Sequence, residues 1–254
     1  MVYNRLLKTN FYREMTYKSN FFTFMIVNLV GYLGDVLFYI LIYNFVDCIN
    51  GWTKYHMLGL IATVWIIDSL NGGMFHMNVL RIPRYVQTYD LDFMLIKPIN
   101  SRWYMSMKFV SYGLLLGVPF GSALLIYSMV KVGIRISVFK IILYVIALFS
   151  GTLIMHNIFF MITILSIKHV KVNALMSVFW SILEVGKYPE FIYPSKIRKI
   201  FVFIVPAIVI YNYPINILVN EFNILNVCIL FSIAILFTLI TQFTWKYFLK
   251  YYYK

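Results

Sequence analysis

Apolar residues along this chain come in long runs, and polar residues collect in the gaps between them. A bilayer core about 30 Å thick takes roughly 20 apolar residues to cross as a helix. Four runs meet that length, at 21–46, 57–80, 103–130 and 138–167, and a fifth, at 222–247, closes the chain. The stretch before this last run is interrupted. An apolar piece from Ala174 to Val185 is followed by the polar patch GKYPEFIYPSKIRK at 186–199 and then by a second apolar piece, Ile200 to Val219. Pro189, Pro194, Pro206 and Pro214 fall here, and each removes a backbone donor and disfavours helix just before it. The pattern predicts one span near 172–187, then short helices within 187–219 that dip into the membrane from one side. Backbone at that depth has to be buried in protein or line a water-filled cavity. The result is six spans with a re-entrant hairpin before the last; reading 200–219 as a complete crossing gives seven.

Composition strengthens this picture. Of 254 residues, 62% are hydrophobic and only 12% charged, against about half and about a quarter in soluble domains. The net charge of +13 raises nucleic acid as a partner, but a nucleic-acid reader clusters its cations on a soluble face. Here they sit in the gaps between apolar runs, as juxtamembrane cations do. No nucleic-acid partner is expected. The whole chain, 1–254, therefore reads as one all-α integral membrane domain. With the N-terminus in the cytoplasm, most of the 22 Lys and Arg fall on the inside, including Lys168 and Lys171. Fewer fall outside, among them Arg135 and Lys187. The positive-inside rule then places both termini and the 81–98 loop in the cytoplasm and 187–219 outside.

Residues 3–19 put Leu7, Phe11 and Met15 at i, i+4 and i+8, with Arg5, Lys8 and Arg13 around them. That spacing predicts an amphipathic helix over 1–19 lying on the inner leaflet, against membrane lipids. The 81–98 loop, RIPRYVQTYDLDFMLIKP, is too polar to span and too apolar to be a loose linker. Leu91, Met94 and Leu95 share a helical face there, flanked by Asp90 and Asp92 and closed by Lys97 and Pro98. An apolar knob with acidic flanks suits insertion into a partner's groove. The two carboxylates, at i and i+2, point apart on a helix, which argues against a catalytic pair.

Within the spans, Asp35 and Asp68 sit near mid-membrane, where a carboxylate costs on the order of 2.5–3.5 kcal/mol. They are candidates for a translocation path or proton relay, together with Asn71; the alternative is a structural hydrogen bond to Asn28, Asn71 or another buried polar group. No Lys or Arg lies mid-span to pair with them. Gly113, Gly117 and Gly121 recur every four residues in the third run, a small-residue face for close helix packing. Pro119 marks a kink there. Cys48 and Cys228 form no metal or disulfide pattern, and His76, His156 and His169 show no ligand spacing. Neither GxSxG nor a GxxxxGK[ST] phosphate loop occurs, so no catalytic residue and no cofactor site is expected in this chain.

Two motifs carry a resemblance. In the cytoplasmic loop, Leu91, Asp92, Leu95, Lys97 and Pro98 match a Gly-x-Leu-Asp-x-x-Leu-hydrophobic-Lys/Arg-Pro pattern, with Tyr89 standing where glycine is usual. In the broken region, Tyr188-Pro189, Ile192-Tyr193-Pro194, Pro206 and the YNYP at 211–214 match a Tyr-Pro-rich pattern. With the six-span layout, the chain resembles the permease subunits of ABC-2-type exporters, in the branch of about 260 residues. The resemblance implies a non-catalytic pore-forming subunit of the bacterial plasma membrane, paired with an identical or sister permease above two copies of a separate ATPase that carries ATP and magnesium. It also implies that 81–98 is the helix coupling the two. A polytopic enzyme acting on lipid-linked substrates is the alternative, but nine acidic residues form no metal-binding cluster. An ion-coupled secondary transporter working through Asp35 and Asp68 is another, though no inverted repeat is evident.

Overall fold

The computed structural model describes residues 2–134, 136–167, 172–219 and 223–252. Arg135, Lys168 and Lys171, which enter the charge count, and His169 lie outside the described residues. The described chain is almost entirely helical. Helix α1 (Val2–Thr16) runs through a one-residue turn at Tyr17 into α2 (Lys18–Tyr43). A minimal hairpin, β1 (Cys48–Ile49) with β2 (Trp52–Thr53), links α2 to α3 (Lys54–Asn71). Its turn is Asn50-Gly51, both at positive φ, which is the favoured chemistry for a two-residue hairpin turn. An all-α expectation passes over this small strand pair.

Beyond α3 the helix continues through a π-helical segment, Gly72–His76, into α4 (Met77–Val79) and α5 (Ile82–Gln87). Then follow α6 (Asp90–Leu95), α7 (Ser101–Ser106), α8 (Tyr112–Leu115) and α9 (Gly117–Val132). The long α10 (Val138–Ile167) precedes α11 (Val172–Glu184), α12 (Ser195–Phe203), α13 (Ala207–Val219) and the closing α14 (Ile224–Tyr252).

Five of these helices are long and apolar enough to cross a membrane: Phe21–Tyr43, Lys54–Gln87, Tyr112–Val132, Val138–Leu165 and Ile224–Tyr252. Two boundaries differ from the sequence pattern. The third crossing begins at Tyr112 and not near 103. The chain breaks at 107–111 because the buried Asn78 side chain pairs with the Phe109 backbone in both directions, donating to its carbonyl (2.6 Å) and accepting from its N–H (2.8 Å). The π segment helps: Ser111 N–H donates to the Gly73 carbonyl (2.8 Å). The second difference is at 172–187, where the described α11 has 13 residues, short of a crossing. Helices α12 and α13 are together long and apolar enough to cross but are bent by 96° at 204–206, the geometry of a broken span or of the expected re-entrant hairpin.

The core centres on α3, whose residues from Met57 to Ile67 are all buried. It packs along α9, and α10 packs against α14 and α13. The glycine face makes the first contact possible. A Cβ at Gly121 would meet the Ala62 carbonyl at 2.9 Å, and one at Gly117 would collide with Ser69 and Tyr32. Gly113 faces Phe21 of α2. All three glycines pack within the protomer. By contrast, none of the apolar window of α2 is buried.

Candidate functional site

Three sets of polar residues interrupt this apolar body. The first is the α5–α6 turn. Tyr89 precedes α6 in the left-handed region, with φ +59°, which is where glycine carries no Cβ penalty. Thr88 Oγ1 donates to Asp90 Oδ2 (2.7 Å) and tightens the turn. The orientation of α6 differs from the expected one. Leu91 is 0% exposed and Met94 4%, and Leu95 packs against the same core. These three side chains hold α6 onto the body and present no knob. The apolar residues facing out are Tyr89, Phe93 and Ile96, 71%, 68% and 79% exposed, at i, i+4 and i+7. Asp90, Asp92 and Pro98 are exposed beside them. Lys97 folds back to donate to the Tyr104 hydroxyl (2.8 Å) on α7. The sequence pattern carries two overlapping apolar faces on this helix, and only the packing decides which is outward.

The second set fixes α7 to the helices behind it. Arg102 is 1% exposed. Its guanidinium donates to the Thr238 carbonyl and Gln242 Oε1, each at 3.2 Å, and to Asn157 Oδ1. Asn157 in turn donates to Thr238 Oγ1 (2.9 Å), and the Arg102 guanidinium lies over the rings of Trp103 and Phe160. Three carbonyl oxygens from α10 and α14, one of the backbone and two of side-chain amides, thus take the place of a carboxylate. Nothing in the local sequence SRWYMS marks Arg102 as buried; the signal lies on α10 and α14, where Asn157, Thr238 and Gln242 are polar positions inside apolar runs.

The third set is a cleft of about 250 Å³ between α2 and α3, lined by Asn28, Tyr32, Asp35, Trp65, Asp68 and Lys187, among others. Both span aspartates open onto it. Trp65 Nε1–H donates to Asp35 Oδ2 (2.9 Å). Asp68 accepts from the Tyr211 hydroxyl (2.6 Å) and has Lys187 Nζ at 3.4 Å. No Lys or Arg lies mid-span, yet a cation reaches Asp68 from outside the crossing runs, because the chain folds 185–187 back against α3. Lys187 also meets Glu184 at 2.8 Å. Asn28 bonds the Phe24 carbonyl of its own helix. Asn71 is fully buried and does not line the cleft, and neither of its amide atoms finds a partner among the described residues.

Below the cleft the Tyr-Pro motifs come together. Asn212, 1% exposed, donates to the carbonyls of Gly186 (2.8 Å) and Tyr188 (3.1 Å) and accepts from the Glu190 N–H (3.0 Å). Asn216 donates to Glu190 Oε1 (3.0 Å), and the Tyr193 hydroxyl donates to the Val185 carbonyl (2.8 Å). Burial pushes the Glu190 carboxyl above its ordinary range, while Arg198 and the Asn216 bond pull it down. Gly186 is required by close approach, since a Cβ there would run into the Ala207 carbonyl. Pro189, Pro194 and Pro206 flank the short helices, and Pro214 lies inside α13. The motif is one hydrogen-bonded unit whose keystone is Asn212. Sequence reasoning singled out the prolines and tyrosines; the Asn was visible only as the interior of YNYP.

Among the described residues, no group of three His, Cys, Asp or Glu is placed to hold a metal. No curated protein and no solved structure matches the chain. A family model described as ABC-2 family transporter protein matches residues 29–254. That match begins within the first crossing helix and covers the other four, the α6 turn and the Tyr-Pro unit, and with it this multi-pass membrane chain belongs to the ABC-2 transporter family, as the permease of an ABC transport system.

Proposed function

We propose that this permease works as an exporter subunit in a bacterial plasma membrane, paired with an identical or sister permease above two copies of the ATPase subunit. ATP and magnesium stay on the ATPase, and this chain carries out conformational work with no covalent step. The excess of Lys and Arg in the segments assigned to the inside supports cytoplasmic termini and a cytoplasmic α6. The cleft holding Asp35 and Asp68 is the segment of the translocation path that this chain contributes.

One observation carries the reading: a short helix with a buried face and an outward face of Tyr89, Phe93 and Ile96, rimmed by Asp90 and Asp92. A monomer gains nothing by leaving three large apolar side chains uncovered on a helix it has already anchored with Leu91 and Met94. A protein groove that receives them removes that surface from water, and such buried anchors are where binding energy concentrates. Because α7 follows α6 directly and Arg102 ties α7 to α10 and α14, a push on α6 is passed to two crossing helices.

The test is Phe93→Asp with Ile96→Asp. Losing two central apolar anchors is expected to weaken ATPase association by about 2 kcal/mol or more, roughly 30-fold, with the permease still folded in the membrane. The ATPase should disappear from the co-purified complex. Retention of the ATPase at wild-type stoichiometry sinks the assignment of this face.

A further inference from the structure

A crevice of about 270 Å³ lies where α1, the first turn of the Phe21–Tyr43 crossing and the 107–113 turn meet. It is walled by Phe21, Phe24, Met77 and Val110, and Arg13 and Arg81 reach into it. Both guanidinium groups sit over one ring, Phe109, at 4.8 and 4.1 Å from its centroid, and Lys108 Nζ lies 5.1 Å from the same centroid. Three cations thus converge on one aromatic side chain. Neither arginine has a carboxylate within 4.0 Å among the described residues; Arg81 has the Tyr85 hydroxyl nearby. Glu14 lines the crevice, but its Oε2 accepts from the N–H groups of Tyr112 (2.8 Å) and Gly113 (3.2 Å), at the start of α8. Its charge serves the fold of the turn.

Three like charges gathered around one ring repel one another, Glu14 offsets only part of this because its carboxylate is held by the backbone at the start of α8, and an anion between the cations removes the remaining cost. We infer that this crevice binds the phosphate of an anionic phospholipid, with Arg13 and Arg81 on the headgroup and the Phe21–Phe24–Met77 wall against the acyl chains. The lipid is favoured over a free phosphate because the crevice is lined by the first turns of α2, whose apolar window has no buried residue and leaves Phe22, Phe24, Ile26 and Val27 exposed. A soluble anion has no use for that wall. The site also explains the docking of α1. Asn10 donates to the Lys108 carbonyl (3.0 Å), and the Tyr112 hydroxyl donates to the Leu7 carbonyl (3.1 Å). These bonds carry Arg13 to the same place as Arg81, from a segment far away in sequence. Nothing in this inference depends on the ATPase or on which face of α6 it meets.

The experiment titrates the full chain, in detergent micelles, with phosphatidylglycerol and with phosphatidylcholine, counting bound lipid by native mass spectrometry. Wild type should retain phosphatidylglycerol selectively. Arg13→Gln with Arg81→Gln should weaken that binding roughly 30-fold, at about one kcal-scale contact per cation, and leave phosphatidylcholine unaffected. Arg13→Lys with Arg81→Lys should keep most of the selectivity, and it decides the question if the glutamine pair does not fold. Equal retention of both lipids by wild type overturns the proposal, as does unchanged phosphatidylglycerol binding by the glutamine pair. Competition by millimolar inorganic phosphate that displaces the lipid completely assigns the crevice to a small anion and overturns the lipid assignment.

Discussion

Tyr89 occupies a left-handed turn with its ring almost fully exposed, so it is strained as backbone and available as a side chain. An L-residue in that region costs roughly 1–2 kcal/mol, part of which glycine returns as unfolded-chain entropy. Tyr89→Gly is therefore expected to stabilise the chain by about 0.5–1 kcal/mol, seen as a higher melting temperature in detergent, while weakening ATPase retention. A lower melting temperature contradicts the strain, and unchanged retention removes Tyr89 from the docking face. Tyr89 stands where glycine is usual in the pattern the loop resembles, and the left-handed conformation gives the reason for the glycine. The pattern leaves open which way Leu91 and Met94 point. Periodicity assigns residues to faces, and on a six-residue helix with apolar residues at 91, 93, 94 and 95, and Ile96 just after it, more than one face is permitted. Substituting aspartate at Leu91 would put a charge into the core and report on folding, which is why Phe93 and Ile96 make the informative pair.

At the scale of elements, run length located the long helices well, because a continuous apolar stretch leaves few alternatives in a bilayer. Run length failed where one side chain overrides it. The third run reads as unbroken from 103, yet Asn78 and Gly73 capture the backbone of Phe109 and Ser111 and set α7 apart as a separate helix. That separation gives Arg102 its place, with a planar fork meeting acceptors on two different helices. Lysine keeps the charge but offers a point donor that cannot span them. Arg102→Lys should leave buried amide and carbonyl groups unpaired, at about 1–3 kcal/mol for each lost partner, and lower the melting temperature by several degrees. The more telling readout is coupling. The ATPase should remain bound to α6 in this variant while ATP turnover of the assembled complex ceases to respond to the permease. A variant with wild-type stability would mean that the three acceptors do not hold α7.

Across the whole molecule, the two span aspartates share one cleft but face different surroundings, and this separates them in a way their sequence positions could not. Both sit in apolar runs, and the cation that meets Asp68 comes from a segment more than a hundred residues later, beyond the reach of any local pattern. Asp68 has Tyr211 and Lys187, and with these it joins α3 to the Tyr-Pro unit that Asn212 clamps. Asp35 has one tryptophan N–H and is exposed on a helix of which α3 and α8 cover only one side. A carboxylate so placed in a crossing helix carries an insertion cost that one hydrogen bond returns only in part, and the role in translocation proposed for it is what Asp35→Asn tests. Asp68→Asn removes a partly exposed ion pair, with both side chains near one-quarter exposed. It should destabilise by about 1 kcal/mol, toward the upper range for exposed pairs, and Lys187→Met in the same chain should recover part of that loss. Asp35→Asn should leave the melting temperature unchanged or raise it, since the amide is cheaper to hold in lipid, while abolishing the permease's effect on ATP turnover in reconstituted complexes. If instead Asp35→Asn unfolds the chain and Asp68→Asn alone silences turnover, the roles are reversed, and the path runs along α3 and Tyr211 with α2 as its wall.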